Sequence, residues 1–344
     1  MLIKDKNRGY KMKKNMLLGL AITAMFSTAA TAGTLDDVKK AGVLKCGVTT
    51  GLAGFSSPDK DGNWTGIDVD TCRAVAAAVL GDSTKVKFNP LTAKERFTAL
   101  QSGEIDILSR NTTWTLTRDA SLGLNFAGVN YYDGQGFMVS KKLGVKSVKG
   151  LDGAAVCIQA GTTTELNLAD YFKANNMKFK AITFDTSDQT IKGFQAGRCD
   201  MLTSDQSQLY ALRIKLDKPE DAIVLPEVIS KEPLGPVVRQ GDDQWFNVVR
   251  WSLNAMINAE EMGVTKANIK GMKDTKDPAI GRLMGGQGEK LGLDDKWSYN
   301  IISQVGNYGE IFEANVGSGS PLKIGRGLNA LWNKGGIMYA PPIR

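Results

Sequence analysis

Histidine is missing altogether from the 344 residues of this chain. That one absence removes Ser-His and Cys-His nucleophile pairs, histidine-ligated metals and histidine pH switching. Long hydrophobic runs are missing too. The most apolar stretch, Met16 to Phe26, is about half the ~20 residues a membrane-spanning helix needs. An excess of positive charge is only nominal. Lys11, Lys13 and Lys14 precede the apolar stretch and Ala30-Thr31-Ala32 follow it, so residues 1–32 are expected to be a secretory signal peptide cleaved after Ala32. Met12 competes with Met1 as the true start. Without residues 1–32 the chain loses six of its 43 basic and one of its 36 acidic residues, and the formal charge falls from +7 to +2. Nucleic-acid and membrane-surface binding then have no compositional support. The 312 residues that remain are enough for two domains.

Cysteine is scarce, but the four present form an even set in an exported chain, which favours disulfides among three connectivities. Strand periodicity puts Cys46 on one face with Leu44 and Val48, and helical spacing puts Cys72 on the stripe of Val69, Val75, Ala76 and Val79. Cys157 and Cys199 fall in two further strands. The expected pairs are Cys46 with Cys72 and Cys157 with Cys199, each worth roughly 3 to 4 kcal/mol by loop closure. Four buried free thiols are the alternative.

What the sequence has is an echo. Gln101, Gly103, Asp106 and Leu108 recur as Gln195, Gly197, Asp200 and Leu202 at a constant offset, each copy reading as a helix, a Gly stop and an apolar strand. The repeats sit inside two runs of alternating strands and helices. The first is strand 44–48, helix 68–80 with Asp68 and Asp70 as capping and first-turn acids, strand 85–88, helix 93–102 and strand 105–109. The second is strand 154–158, helix 164–174, strand 179–184, helix 188–196 and strand 199–203. This rhythm predicts an α/β fold of two doubly wound lobes. The Gly-bearing segments Tyr131 to Gly136 and Ser230 to Pro236 read as two antiparallel crossings that form a hinge. The expected division is residues 33–132 plus 236–344 for one lobe and 133–235 for the other, with a helix near 244–259 opening the C-terminal region.

Ligands of doubly wound sheets sit beyond the carboxyl ends of the strands. Three segments land there: Thr49 to Phe55, Ser109 to Arg118, and Gln159 to Thr164. The last, QAGTTTE, reads either as an anion nest at a helix start or as a plain capping box of Thr162 with Glu165. Arg118 follows one repeat and Asp205 the other, so one mouth offers a cation suited to a carboxylate and the other an anion suited to an ammonium. A small zwitterion fits both. The bland alternatives are a surface Arg118 paired with Asp119 and an Asp205 that only caps a helix.

The segments GIDVD, RFTALQSGEIDILSRNTTWTLTRD, QAGTTTELNLADYF, CDMLTSDQSQLY, KEPLGPVVRQGD and GRGLNALWNKGGIMYAPPIR together resemble the periplasmic amino-acid-binding proteins of ABC importers, in the general L-amino-acid-binding branch. The resemblance spans nearly the whole mature chain and implies a type II periplasmic-binding-protein fold. It also implies a receptor that takes up a broad range of L-amino acids, acidic and amide side chains included, and delivers them to an ABC permease in the membrane. It carries Arg118 over as the clamp on the ligand α-carboxylate, with Thr113 and the backbone of Asn111 beside it, Thr162 and Thr163 completing carboxylate binding, and Asp205 receiving the ammonium. Arg96 and Arg110 stand near the ligand side chain or cleft wall, or pair with an acid such as Glu104. Leu52 and Phe55 line the pocket, and Trp114 and Tyr132 are weaker candidates. Two positions depart from the wider pattern: Gln159, where some relatives have lysine, and Thr49, where some have an acid. No metal, cofactor or catalytic residue is expected, and a monomer is the default. The rivals are a ligand-presenting sensor and a periplasmic dehydratase, the latter needing a spare cleft glutamate that the candidate loops do not offer.

Overall fold

A computed structural model describes residues 33–344; the signal peptide and the choice of start codon lie outside these residues. In chain order the strands are β1 (Leu44–Val48), β2 (Ser57–Pro58), β3 (Trp64–Thr65), β4 (Val86–Pro90), β5 (Ile107–Leu108), β6 (Leu124–Phe126), β7 (Tyr131–Asp133), β8 (Gln135–Ser140), β9 (Ala154–Gln159), β10 (Phe179–Phe184), β11 (Met201–Asp205), β12 (Ala222–Val224), β13 (Glu232–Leu234) and β14 (Val237–Arg239). They make two five-stranded sheets, ordered β4-β1-β5-β14-β6 and β10-β9-β11-β8-β12. In each, the first three strands pair in parallel, as the strand-helix rhythm predicts. The fourth strand runs antiparallel, because β14 and β8 are where the chain arrives from the other lobe.

The two sequence repeats occupy equivalent places and do the same structural work. Each ends its helix at a glycine with positive φ, 78° at Gly103 and 68° at Gly197, where a side chain would be strained. Each aspartate then accepts the N–H of the second residue of a central strand: Asp106 from Lys45 at 2.9 Å and Asp200 from Ala155 at 2.7 Å. The repeated acid therefore fixes strand registration and stands away from the ligand side.

Both disulfides form as expected, each within one lobe, with Cα atoms 6.3 Å apart for Cys46–Cys72 and 5.6 Å for Cys157–Cys199. The first lobe has the larger core. Trp245, from the helix Asp243–Glu261, Trp297 and Tyr308 are buried in one cluster with the helix Ile67–Leu80, and Trp245 Nε1 donates to the Asp106 carbonyl just before β5 at 2.9 Å. The second lobe has a smaller cluster on each face of its sheet, around Phe172 on one side and Leu209 on the other. The lobes are joined by β7 and β13, which pair antiparallel, as the two crossings predict.

Candidate ligand site between the lobes

The first-lobe wall is built at the carboxyl end of β5. Its loop is held by Asp68, which is not the helix cap expected from sequence: the helix starts at Ile67 behind Gly66, and the Asp68 side chain turns back into the protein. Its carboxylate accepts hydrogen bonds from Ser109 Oγ (3.1 Å), the Asn111 N–H (2.7 Å) and Asn130 Nδ2 (3.2 Å). Burial pushes this carboxyl up to about 6, against the hydrogen bonds that lower it. The Asn111 N–H is thus already taken by Asp68, which among the described residues leaves its carbonyl as the backbone group free for a ligand. The Asn111 side chain instead reaches Gln208 of the second lobe at 3.3 Å.

Three guanidinium groups stack into this wall. Arg96 donates to Thr112 Oγ1 at 3.3 Å and lies 4.8 Å from the Phe97 ring centre. Arg110 donates to the Leu91 carbonyl at 2.9 Å, and Arg118 to the Thr113 carbonyl at 2.9 Å, with its guanidinium 5.2 Å from the centre of the same Phe97 ring. All three are buried. Among the described residues none has a carboxylate within ion-pairing distance, so neither the Arg118–Asp119 pair nor a Glu104 partner forms. Burial, then the neighbouring Arg118 and Arg110, hold Arg96 well below its ordinary range, and burial brings Arg110 down to about 10. Cation beside cation in a dry wall calls for an anion.

The second-lobe wall faces it with acid. Asp205 ends β11 and sits at the cap position of the helix Gln206–Arg213, yet its side chain makes no cap hydrogen bond. Its Oδ1 is buried without a partner among the described residues. Burial, followed by the nearby Asp133 and Glu232, raises its carboxyl well above the ordinary range. The threonine loop is half of the expected capping box: Thr162 Oγ1 accepts the Glu165 N–H at 3.3 Å, while the Glu165 carboxylate reaches the Gly161 N–H instead. Gln159 donates to the Asp185 carbonyl at 3.0 Å.

The lobes are closed on each other. Thr113 and Thr163 bring their hydroxyls to 3.3 Å, and at the rim Lys94 meets Asp185 at 2.8 Å. Between them remains a narrow gap of only about 20 Å³, whose walls include Arg96, Arg110, Asn111, Thr113, Gln159, Thr162, Thr163 and Asp205. Two expected residues are elsewhere. Arg118 stands one layer back, behind Thr113. Leu52 is buried in the first-lobe core with Phe55, because the loop folds back through a bridge to Ser56. Trp114 stacks on Phe126 at 5.6 Å, and Thr49 bonds Ser56, so both serve packing.

Sequence reasoning also passed over Glu232 and Asp133. Glu232 is fully buried and accepts from Thr163 Oγ1 (2.9 Å), Asn167 Nδ2 (2.7 Å) and Ser230 Oγ (2.6 Å). A glutamate does therefore stand beside the cleft, supplied by the crossing strand β13 and not by the candidate loops. A charge wedged before Pro233 in a crossing segment was its one visible signal.

Bacterial extracellular solute-binding proteins of family 3 match residues 44–268. Over 97% of its length the chain is 60% identical to the whole of a general L-amino acid-binding periplasmic protein from Rhizobium johnstonii. It is 54% identical, again over 97% of its length, to the whole of a glutamate/glutamine/aspartate/asparagine-binding protein from Rhodobacter capsulatus. A solved periplasmic binding protein from Brucella ovis with glutathione bound is 59% identical, with a TM-score of 0.89 over 91% of this chain and 100% of that one. An ancestral amino acid-binding protein described as a precursor of cyclohexadienyl dehydratase is 30% identical, with a TM-score of 0.57 over 67% of this chain and 95% of its own. Two closed lobes, opposed charged walls and these likenesses have one common account: the chain belongs to the bacterial extracellular solute-binding proteins of family 3.

Proposed function

We propose that this protein is an exported, monomeric receptor, freed of residues 1–32 in the periplasm, that captures L-amino acids between its lobes and delivers them to an ABC permease. The observation that carries this reading is the pair of opposed walls. Among the described residues Asp205 has a buried oxygen without a partner, and across the cleft stand the buried Arg96 and Arg110, with Arg118 one layer behind them, none paired with a carboxylate. A zwitterion supplies what each wall lacks. Its ammonium goes to Asp205. Its α-carboxylate goes to Arg118 through a shift of Thr113, with the second-lobe loop at Thr162 and Thr163 closing over it. Arg96 and Arg110 then remain for the side chain, which favours glutamate, aspartate and their amides, in keeping with the Rhodobacter relative's name. The ligand stabilises closure because these contacts exist only when the lobes meet.

The dehydratase alternative gains a candidate acid in Glu232 and the ancestral likeness, but both Glu232 oxygens are committed to second-lobe donors. The near-full-length relatives are named as binding proteins. Thermal-shift screening of the mature chain against all twenty L-amino acids checks the reading: glutamate, aspartate, glutamine and asparagine are expected to give the largest upward shifts. No shift with any amino acid would refute it.

A further inference from the structure

The hinge ribbon has two outer edges, and each is held by the first lobe. Tyr132 is opposite Pro233, which has no N–H to give. The Tyr132 peptide groups turn outward and meet the carboxamide of Asn329: the Tyr132 N–H donates to Oδ1 at 2.6 Å, and Nδ2 donates to the Tyr132 carbonyl at 3.0 Å. One side chain thus imitates a third strand on an edge that would otherwise be unpaired. Asn329 is itself anchored. Its carbonyl accepts from Arg326 Nε and Nη2 at 3.1 and 2.9 Å, and Arg326 pairs with Glu260 at 2.9 Å while lying over Tyr308 and Phe312. On the ligand-side edge the Pro233 carbonyl accepts the Trp114 N–H at 2.8 Å, and Gly235 donates to the Thr112 carbonyl at 3.0 Å.

The next residue of each strand belongs to the other body. Asp133 accepts from the hydroxyl and N–H of Ser207, and Glu232 from Thr163 and Asn167, all in the second lobe. Behind the ribbon, on the side away from the ligand, lies a solvent-open crevice of about 630 Å³ with Leu328 on one wall and Val228 on the other. Both are more than half exposed, at 57% and 54%. At its floor is Gly134, where a Cβ would stand 2.3 Å from Val228 Cγ1, so only glycine fits.

We propose that residues 324–329, outside the span that the family model matches, form a hinge strap and opening stop. Asn329 makes Tyr132 part of the first lobe, which confines the pivot to the Tyr132–Asp133 and Glu232–Pro233 peptides. The lobe boundary is then 132/133 and 232/233, and residues 233–235 move from the second lobe, where sequence put them, to the first. Because the ribbon lies between ligand space and crevice, opening the ligand side narrows the crevice until Leu328 meets Val228. Burying that apolar pair favours a defined open form and limits its angle. The effect on affinity rests on the amino-acid-binding reading; the effect on shape does not.

Small-angle scattering of the mature chain without ligand, and calorimetry with L-glutamate, test this on two variants with opposite expected signs. Asn329→Ala frees both Tyr132 groups, so the radius of gyration without ligand rises above that of the wild type and affinity falls about 3- to 10-fold. Val228→Trp fills the crevice, so the radius without ligand falls toward the glutamate-bound value and affinity rises several-fold. If Asn329→Ala does not fold, Val228→Trp decides alone. Unchanged radii, or shifts in the same direction for both, overturn the proposal. If the wild type fails to bind any amino acid, the functional reading falls, while the radii still decide the strap.

Discussion

The carboxyl ends of β5 and β11 occupy the same place in two sheets of the same strand order, reached through the same short sequence echo, and yet they end in opposite chemistry. After β5 the chain builds a wall of three guanidinium groups, each resting on a neutral oxygen of its own lobe. After β11 it leaves one carboxylate with an unmatched oxygen and two more acids close behind it. The arginine wall has a neutral oxygen for each guanidinium, though Arg96 Nε is left without a partner among the described residues, and its charge is unmatched; the aspartate wall has neither. The repeated scaffold sets position, and the residues just past the repeat set sign, so a zwitterion is recognised by both lobes at once.

The comparison is broken most severely at Arg118. Arg118→Ala leaves a buried ligand carboxylate without its cation, and affinity for L-glutamate is expected to fall by about 4 kcal/mol, roughly 1,000-fold, in calorimetry. Circular dichroism should stay unchanged, because Arg118 donates only to a loop carbonyl.

The disulfides sharpen a second contrast, that of core size. Each spans 26 or 42 residues of sequence, worth about 3.5 to 4 kcal/mol by loop closure. Replacing Cys157 and Cys199 by alanine is expected to split the calorimetric melt in two, with the smaller-cored second lobe unfolding first. Replacing Cys46 and Cys72 should lower the melting temperature without that split.

Asp205→Asn asks what the acid wall costs. A carboxyl whose folded pKa lies above its unfolded value near 3.9 destabilises the fold above the folded pKa. That penalty is relieved as pH falls toward the unfolded value. Asp68, pushed up to about 6, and Asp205, raised well above its ordinary range, both act this way. The melting temperature of the wild type is therefore expected to rise from pH 7 toward pH 5. Asp205→Asn should be more stable than the wild type at pH 7, show a shallower pH slope, and bind glutamate about 100-fold more weakly. Least affected is Lys94→Ala. Its pair with Asp185 spans the lobes but is solvent-exposed on both sides, and affinity should change by less than about threefold.

Much of this was legible in the sequence because strands and helices announce themselves by period. The two sheets follow from the alternation of strands and helices, the cysteine pairs from which residues share a face, and the two crossings from short Gly-bearing segments between the runs. Asp68 was not legible, since a first-turn acid looks the same whether it faces solvent or turns to hold the loop at Ser109 and Asn111. Resemblance alone places Leu52 and Phe55 in the pocket, and a loop has no period to reveal that it folds back into the core. Glu232 does not stand out, being one charge before a proline, and only the crossing of β13 past Thr163 and Asn167 buries it. Arg118 was placed on the correct wall but one layer too far forward, a distinction in depth that residue spacing does not encode.

The two-wall account is tested most directly by titrating the mature chain in a calorimeter with three ligands of matched length. L-glutamate carries both groups, N-acetyl-L-glutamate has lost the ammonium, and 4-aminobutyrate has lost the α-carboxylate. The account predicts binding of L-glutamate in the micromolar range, about −8 kcal/mol, and at least 100-fold weaker binding of each of the others. An analogue that binds as tightly as L-glutamate would contradict it.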